Sequence, residues 1–238
     1  MSRTALIEEL WRRHGGENSR SNWRYRRKRM MWQFVVAAAA AAKRAIDIVA
    51  AGLGLVVLSP LFLGIAACVK FTDGGPVLYW QTRVGQWGRE FPFPKFRSMV
   101  TNSDAVRAKI LAQNQHGSQA VTFKMKNDPR ITWIGRIIRK LSLDELPQLC
   151  CVLNGDMSLV GPRPPLPAEV ARYSLRDRRR LDVIPGLTCI WQVSGRADIP
   201  FDRQVELDMQ YIQSQSLWVD IKLLLRTVPA VLLGKGAY

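Results

Sequence analysis

The sequence has almost no histidine: only His14 and His116 occur in 238 residues. His14 lies in a basic stretch and His116 in a polar one, so both read as solvated and a histidine-centred active site is not indicated. The four cysteines, Cys68, Cys150, Cys151 and Cys189, contain no CxxC pair. That argues against a zinc site or a disulfide framework and for reduced thiols facing a cytosolic compartment. Cys150 and Cys151 read as packing residues. Glycine-rich phosphate loops are missing too. No GxxxxGK[ST] occurs, no GxGxxG follows a strand, and the "GLG" of residues 52–54 belongs to an apolar run. No Ser/His/Asp set can be assembled. Acidic residues are scarce as well, 19 Asp and Glu against 35 Lys and Arg, for a net charge of +16. Such an excess calls for an anionic partner: nucleic acid, anionic lipid or a phosphorylated substrate.

Half of the excess sits at the start, where residues 1–44 hold 11 basic and 3 acidic residues. "RSNWRYRRKRMMW" places six cations among tryptophan and tyrosine, as a nucleic-acid arm or an anionic membrane surface segment would. Residues 1–42 therefore read as a basic, partly disordered segment. An alanine-rich, helix-favouring stretch leads to Lys43–Arg44, and then Ile48 to Val69 runs for 22 residues without a charge. At about 1.5 Å per residue, such a run is long enough to cross a bilayer core of about 30 Å. Ser59–Pro60 interrupts it near the middle, where proline removes a backbone donor and bends the helix. Cations flank both ends: Lys43 and Arg44 before, Lys70, Arg83 and Arg89 after. A hairpin that enters, turns at Ser59–Pro60 and leaves by the same face puts both flanks in the cytoplasm. A kinked full span and a buried helix are the alternatives. The run also argues against a nucleic-acid binder.

The remainder, 71–238, reads as a globular domain. Residues 76–85 and 91–99 look like strands around the turn "GQWGRE". Residues 102–115 read as a polar helix, and "WIGRIIRKL" has apolar positions at helical spacing. "LPAEVARYSLRDRRRLDV", "FDRQVELDMQYIQSQS" and Leu217 to Gly234 read as helices, the last a core or interfacial one. Asp198, Asp202, Glu206 and Asp208 read as a solvated helix face balancing Arg196 and Arg203.

Two clusters carry chemistry. Lys95 and Arg97 lie in "PKFRSM", Arg136 and Arg139 in "GRIIR", and Arg163 between prolines in "GPRP". A rigid guanidinium fork suits phosphate, and several cations together clamp a transferring phosphoryl group. The acids are Asp144 and Glu145 in "SLDELPQL". Ser142 and Glu145 have the spacing of a capping box, which would leave the pair a helix start. Pro147 resists that reading, because a proline prefers to open a helix, and the acids would then lie just before it, free of capping. Local rules leave both open.

Taken in order, "KRAIDIVAAGLGLVVLSPLF", "YWQTRVG", "KFRSM", "SLDELPQL", "NGDMSLVGPRP" and "PGLTCIWQVSGR" closely resemble the monotopic phosphoglycosyl transferases, from Lys43 to Tyr238. The resemblance implies an α/β membrane-associated fold: a re-entrant helix hairpin (43–70) and a small catalytic domain with amphipathic interfacial helices. It implies transfer of a sugar phosphate from a UDP-sugar to undecaprenyl phosphate with release of UMP, at the cytoplasmic face of the bacterial inner membrane, starting exopolysaccharide synthesis. Asp144 matches the family's aspartyl nucleophile and Glu145 its assisting acid. Magnesium, held by Asp144, is the implied cofactor. Lys95, Arg97, Arg139 and Arg163 are the expected phosphate contacts, and Gln192 and Arg196 the expected nucleotide contacts. Ser59 and Pro60 match the family's membrane-helix break. Anionic lipid and a homodimer fit such a membrane enzyme, and a hexose fits the C-terminal half. The competing reading is a non-catalytic, membrane-bound interaction protein. A carboxylate nucleophile splits one displacement into two and predicts ping-pong kinetics, and two anionic reactants require the cations.

Overall fold

The computed structural model describes residues 19–101, 103 and 128–233. The histidines and the expected helix over 102–115, Ser103 apart, lie outside the described residues. The chain divides into two units, Met1–Arg44 and Ala45–Tyr238.

Helix α1 covers Ser19–Val57 and α2 covers Ser59–Asp73. They meet at Leu58 with a bend of 59°. The cause is local. Pro60 has no N–H for the Val56 carbonyl, and the Ser59 hydroxyl donates to that carbonyl instead, at 2.8 Å. Gly74, at φ 72°, ends α2 by donating its N–H to the Lys70 carbonyl. Among the described residues no single helix is long and apolar enough to cross a membrane, while the bent pair taken together is.

Strands β1 (Leu78–Val84) and β2 (Glu90–Phe96) form the expected antiparallel hairpin, with Tyr79 opposite Lys95 and Arg83 opposite Phe91. Helix α3 (Trp133–Lys140) also forms as its spacing predicts, capped by Thr132, whose hydroxyl accepts from the Gly135 N–H at 3.0 Å. Ile134 and Ile138 are buried while Arg136 and Ile137 face outward. A 3₁₀ segment, Leu143–Gln148, runs into the short helix α4 (Leu149–Asn154), which ends on Gly155 at φ 91°. Strand β3 (Ser158–Val160) follows, then the four-residue helix α5 (Pro167–Val170), strand β4 (Gly186–Thr188), and helices α6 (Phe201–Ser214) and α7 (Leu217–Leu233). Strands β3 and β4 pair in parallel. Among the described residues the architecture is a mixed α/β one with two separate two-stranded sheets.

Three local expectations are corrected. Residues 166–183 do not form one helix. Ser174 and Asp177 bond to each other's backbone N–H, which competes with helical bonding, and only a 3₁₀ turn follows at Asp177–Asp182. Asp208 is not on a solvated face: it is fully buried, with its Oδ2 2.7 Å from Arg180 Nη2. Cys150 is exposed, and only Cys151 packs in the core. That core joins Ala51 of α1 to Phe91 and Phe93 of β2, Leu149 and Val152 of α4, Val160, Tyr211 and Leu223. It brings β2, the 3₁₀ segment and the end of β3 to one place.

Candidate active site

The acids sit in the 3₁₀ segment, and neither local reading of "SLDELPQL" survives in its original form. Ser142 adopts a left-handed backbone, φ 53°, and its side chain caps nothing. Pro147 lies inside the 3₁₀ turn instead of opening α4. At 3.0 residues per turn, successive side chains point about 120° apart, so neighbouring acids face different surroundings.

Glu145 faces two cations. Arg163 donates from Nη1 to Oε2 at 3.2 Å and from Nη2 to Oε1 at 2.6 Å, while Lys95 Nζ donates to the same Oε1 at 2.8 Å. Burial alone would raise the Glu145 pKa, but Arg163 and Lys95 hold it well below the usual carboxylate range. Asp144 is 8% exposed and, among the described residues, forms no ion pair. Burial pushes its pKa up, to about 6. Lys95, Arg139 and Arg163 pull it down, and the charge of Glu145 adds to the rise. One acid is thus a fixed anion and the other titrates near neutrality.

The cations are built in as firmly. Lys95 extends from β2 over the Phe93 ring, 5.3 Å from its centroid, and burial lowers its pKa against the pull of Glu145. Arg163 follows β3 between Pro162 and Pro164. Burial disfavours its charge, yet Glu145 outweighs this and keeps the guanidinium protonated. Arg139 lies in the last turn of α3, within electrostatic reach of Asp144. Arg196 has its backbone at φ 53°, and its buried Nη1 has no hydrogen-bond partner among the described residues. Burial lowers its pKa, opposed by Glu145 and Asp144, which places it in the field of the dyad. Gln192 turns its amide oxygen to the Cys189 thiol at 3.1 Å.

Arg97 is placed differently from the other expected phosphate contacts. Its guanidinium is engaged by Asp73 at the end of α2 and by Thr101, and a side chain at Gly75 would collide with it. Its partners explain it as a tie between α2 and the exit of β2. Arg83 was counted only as a flanking charge and is in fact part of the site's support. It bonds the Pro164 carbonyl at 3.0 Å, and burial with the adjacent Arg163 lowers its pKa to about 10. Its place two positions after Gln81 in "QTRV", on the same face of the strand, was the available signal.

A buried pair of acids, one neutralised and one titratable, ringed by Lys95, Arg139, Arg163 and Arg196, is equipped to receive a multiply charged phosphate and attack it. The profile of the family described as bacterial sugar transferase matches residues 38–234. The chain belongs to that family. This sugar transferase is 44% identical over 199 residues to the exopolysaccharide production protein ExoY of Rhizobium meliloti, a match covering 83% of the chain and 88% of the relative. It is 48% identical over 198 residues to the undecaprenyl-phosphate galactose phosphotransferase of Salmonella typhimurium, covering 82% of the chain and 41% of the relative. It is 42% identical over 204 residues to the UDP-glucose:undecaprenyl-phosphate glucose-1-phosphate transferase of Caulobacter vibrioides, covering 82% and 72%. The chain therefore spans most of some relatives and less than half of others.

Proposed function

We propose that this sugar transferase moves a hexose 1-phosphate from a UDP-sugar to undecaprenyl phosphate, releasing UMP, as the first membrane step of exopolysaccharide synthesis. The observation that carries the reading is the split dyad. An Asp144 oxygen attacks the β-phosphorus of the UDP-sugar, the bond to the UMP oxygen breaks, and a phosphosugar–aspartyl ester forms. The phosphate oxygen of the lipid then attacks the same phosphorus and Asp144 leaves as a carboxylate. Lys95, Arg139 and Arg163 hold the phosphoryl oxygens, and the unpartnered Nη1 of Arg196 supplies a donor on the nucleotide side.

Glu145, held below the usual range by two cations, is a poor proton acceptor and acts by fixing the Arg163 fork and Lys95. Among the described residues no group of three or more ligating side chains is assembled. Magnesium, which is commonly held by one or two carboxylates plus substrate phosphates, fits such a site with Asp144 as its protein ligand. Bound there, it would neutralise the diphosphate charge.

The apolar surface supports a membrane location. Val49, Leu53, Val56, Val57 and Leu63 on the bent pair are all more than half exposed. On α7, Trp218, Ile221, Leu225 and Val228 share an exposed face beside Lys222 and Arg226, a pattern suited to an anionic lipid surface. The pair then serves as a re-entrant anchor that keeps the dyad at the cytoplasmic face, where the lipid phosphate lies.

The test is UMP release by purified protein in nanodiscs with magnesium, undecaprenyl phosphate and a panel of UDP-sugars. Release with a UDP-hexose is expected, and silence with every sugar refutes the proposal.

A further inference from the structure

Among the described residues strand β3 pairs with one strand, β4, yet lies inside the molecule: Ser158, Leu159 and Val160 are 2%, 7% and 1% exposed. On the β4 side its bonds are ordinary, Ser158 N–H to the Pro185 carbonyl at 2.8 Å and Gly161 N–H to the Thr188 carbonyl at 3.0 Å. Along the other edge no strand pairs with it among the described residues. A buried backbone group without a partner costs about 1–3 kcal/mol, so that edge must be satisfied by something else.

Two helix side chains do this. The Leu159 N–H donates to Asp47 Oδ1 at 3.0 Å. The Tyr211 hydroxyl donates to the Val160 carbonyl at 3.0 Å and shares its proton with Asp220 Oδ1 at 2.8 Å. Asp47 comes from α1, Tyr211 from α6 and Asp220 from α7, at 4%, 1% and 6% exposure. A carboxylate buried in an apolar stretch is unfavourable unless hydrogen-bonded, so Asp47 is there for the strand it binds.

What these groups hold is the approach to Arg163. Strand β3 leads directly into Gly161–Pro162–Arg163–Pro164. Gly161 cannot carry a side chain, because a Cβ would lie 2.6 Å from the Ile184 carbonyl oxygen. Past Arg163, the Pro164 carbonyl accepts from Arg83 at 3.0 Å and the Pro165 carbonyl from the Val84 N–H at 2.9 Å. The backbone that carries Arg163 is therefore held on both sides, and Asp47 and Tyr211 hold it upstream.

We propose that Asp47 and Tyr211 are positioning residues for Arg163. From α1 and α6 they fix the register of β3, and through Asp47 the helix that leads into the apolar bend is tied to the arginine fork at the dyad. The inference rests on Arg163 acting as the phosphate anchor. A displacement of about 1 Å in such a group lowers turnover by about a hundredfold.

The test is a double-mutant cycle on the full chain in nanodiscs, reading UMP release. Asp47→Leu and Tyr211→Phe should each lower kcat/KM by about ten- to a hundredfold, with KM for the UDP-sugar rising. Asp47→Asn, whose amide oxygen still accepts from Leu159, should stay within about threefold of wild type. In an Arg163→Lys background, which lacks the fork, the same two changes should lower activity by less than about threefold. Losses that multiply equally in both backgrounds indicate a loss of folded protein only and overturn the proposal. If Asp47→Leu does not fold, Tyr211→Phe, which lacks a single oxygen atom, decides alone: wild-type activity or a multiplicative loss overturns the role. A silent wild type overturns the site reading and the positioning role with it. An active wild type with multiplicative losses overturns the positioning role alone.

Discussion

Arg163 grips Glu145 with both guanidinium nitrogens, at 3.2 and 2.6 Å, and Lys95 closes on the same carboxylate at 2.8 Å. The grip divides the work of two adjacent acids. In the proposed reaction Glu145 organises the cations and Asp144 is the acid left to attack. Asp144→Asn should therefore lower turnover by about 10⁴-fold or more, while Glu145→Gln, which loosens but does not remove the cations, should lower it by about 10²-fold. Intact-mass measurement after mixing with UDP-sugar, without lipid, should show a hexose phosphate adduct on Glu145→Gln and none on Asp144→Asn. An adduct on Asp144→Asn refutes the assignment.

The same burial makes Asp144 a burden on stability. Its folded pKa of about 6 exceeds the ordinary carboxylate value near 3.8, so its protonated form is favoured on folding. The associated stability is fully present below the unfolded pKa and is lost as pH rises through the folded one. Asparagine mimics the protonated acid. Asp144→Asn should thus be more stable than wild type at pH 8, by on the order of 1–3 kcal/mol, with the difference vanishing near pH 4. Thermal denaturation at the two pH values measures this, and an equal Tm at pH 8 would refute the proposed burial cost.

Lys95 offers a kinetic version of the same test. Among the neighbouring charges it pulls the Asp144 pKa down most. The proposed attack needs Asp144 ionised, so kcat/KM should fall as pH drops through the free-enzyme pKa. Lys95→Met removes the pull, raises that pKa and should move the acid limb to higher pH than in wild type under identical conditions. A limb that stays in place would show that Lys95 does not act on Asp144.

How far these relationships could be read in advance depends on whether their cause is local. The hairpin β1–β2, the α3 periodicity and the break at Ser59–Pro60 follow from neighbouring residues, and all were legible. Asp144, Glu145, Lys95, Arg139 and Arg163 were singled out and the two acids given separate roles, but the electrostatic split between them was not legible. It depends on Arg163 and Glu145, 18 residues apart, meeting across the core. The acids around Asp208 misled for the same reason: helical spacing suggests a wet face, and only the distant Arg180 explains why Asp208 is dry. Arg97 sits two positions from Lys95 in the same motif, yet Asp73 of α2 claims it. Asp47 gave no signal beyond being an acid in an apolar stretch, because its partner is a backbone N–H on β3.

The bend at Leu58 makes the topology testable. If the pair α1–α2 re-enters, the chain just before and just after the apolar run lies on one side of the membrane. Gly75 is a poor labelling site because Arg97 fills the space of its Cβ, whereas Ala45 and Pro76 are exposed. With exposed Cys68 and Cys150 replaced by serine, Ala45→Cys and Pro76→Cys should both react with an impermeant maleimide only from the cytoplasmic side. Adding Pro60→Ala restores an N–H for the Val56 carbonyl and removes the ring clash that bends the helix. A straighter pair is long enough to span, so a fraction of Pro76→Cys should then become reactive from the opposite side. Labelling of Ala45→Cys and Pro76→Cys from opposite sides, with Pro60 in place, would refute the re-entrant anchor.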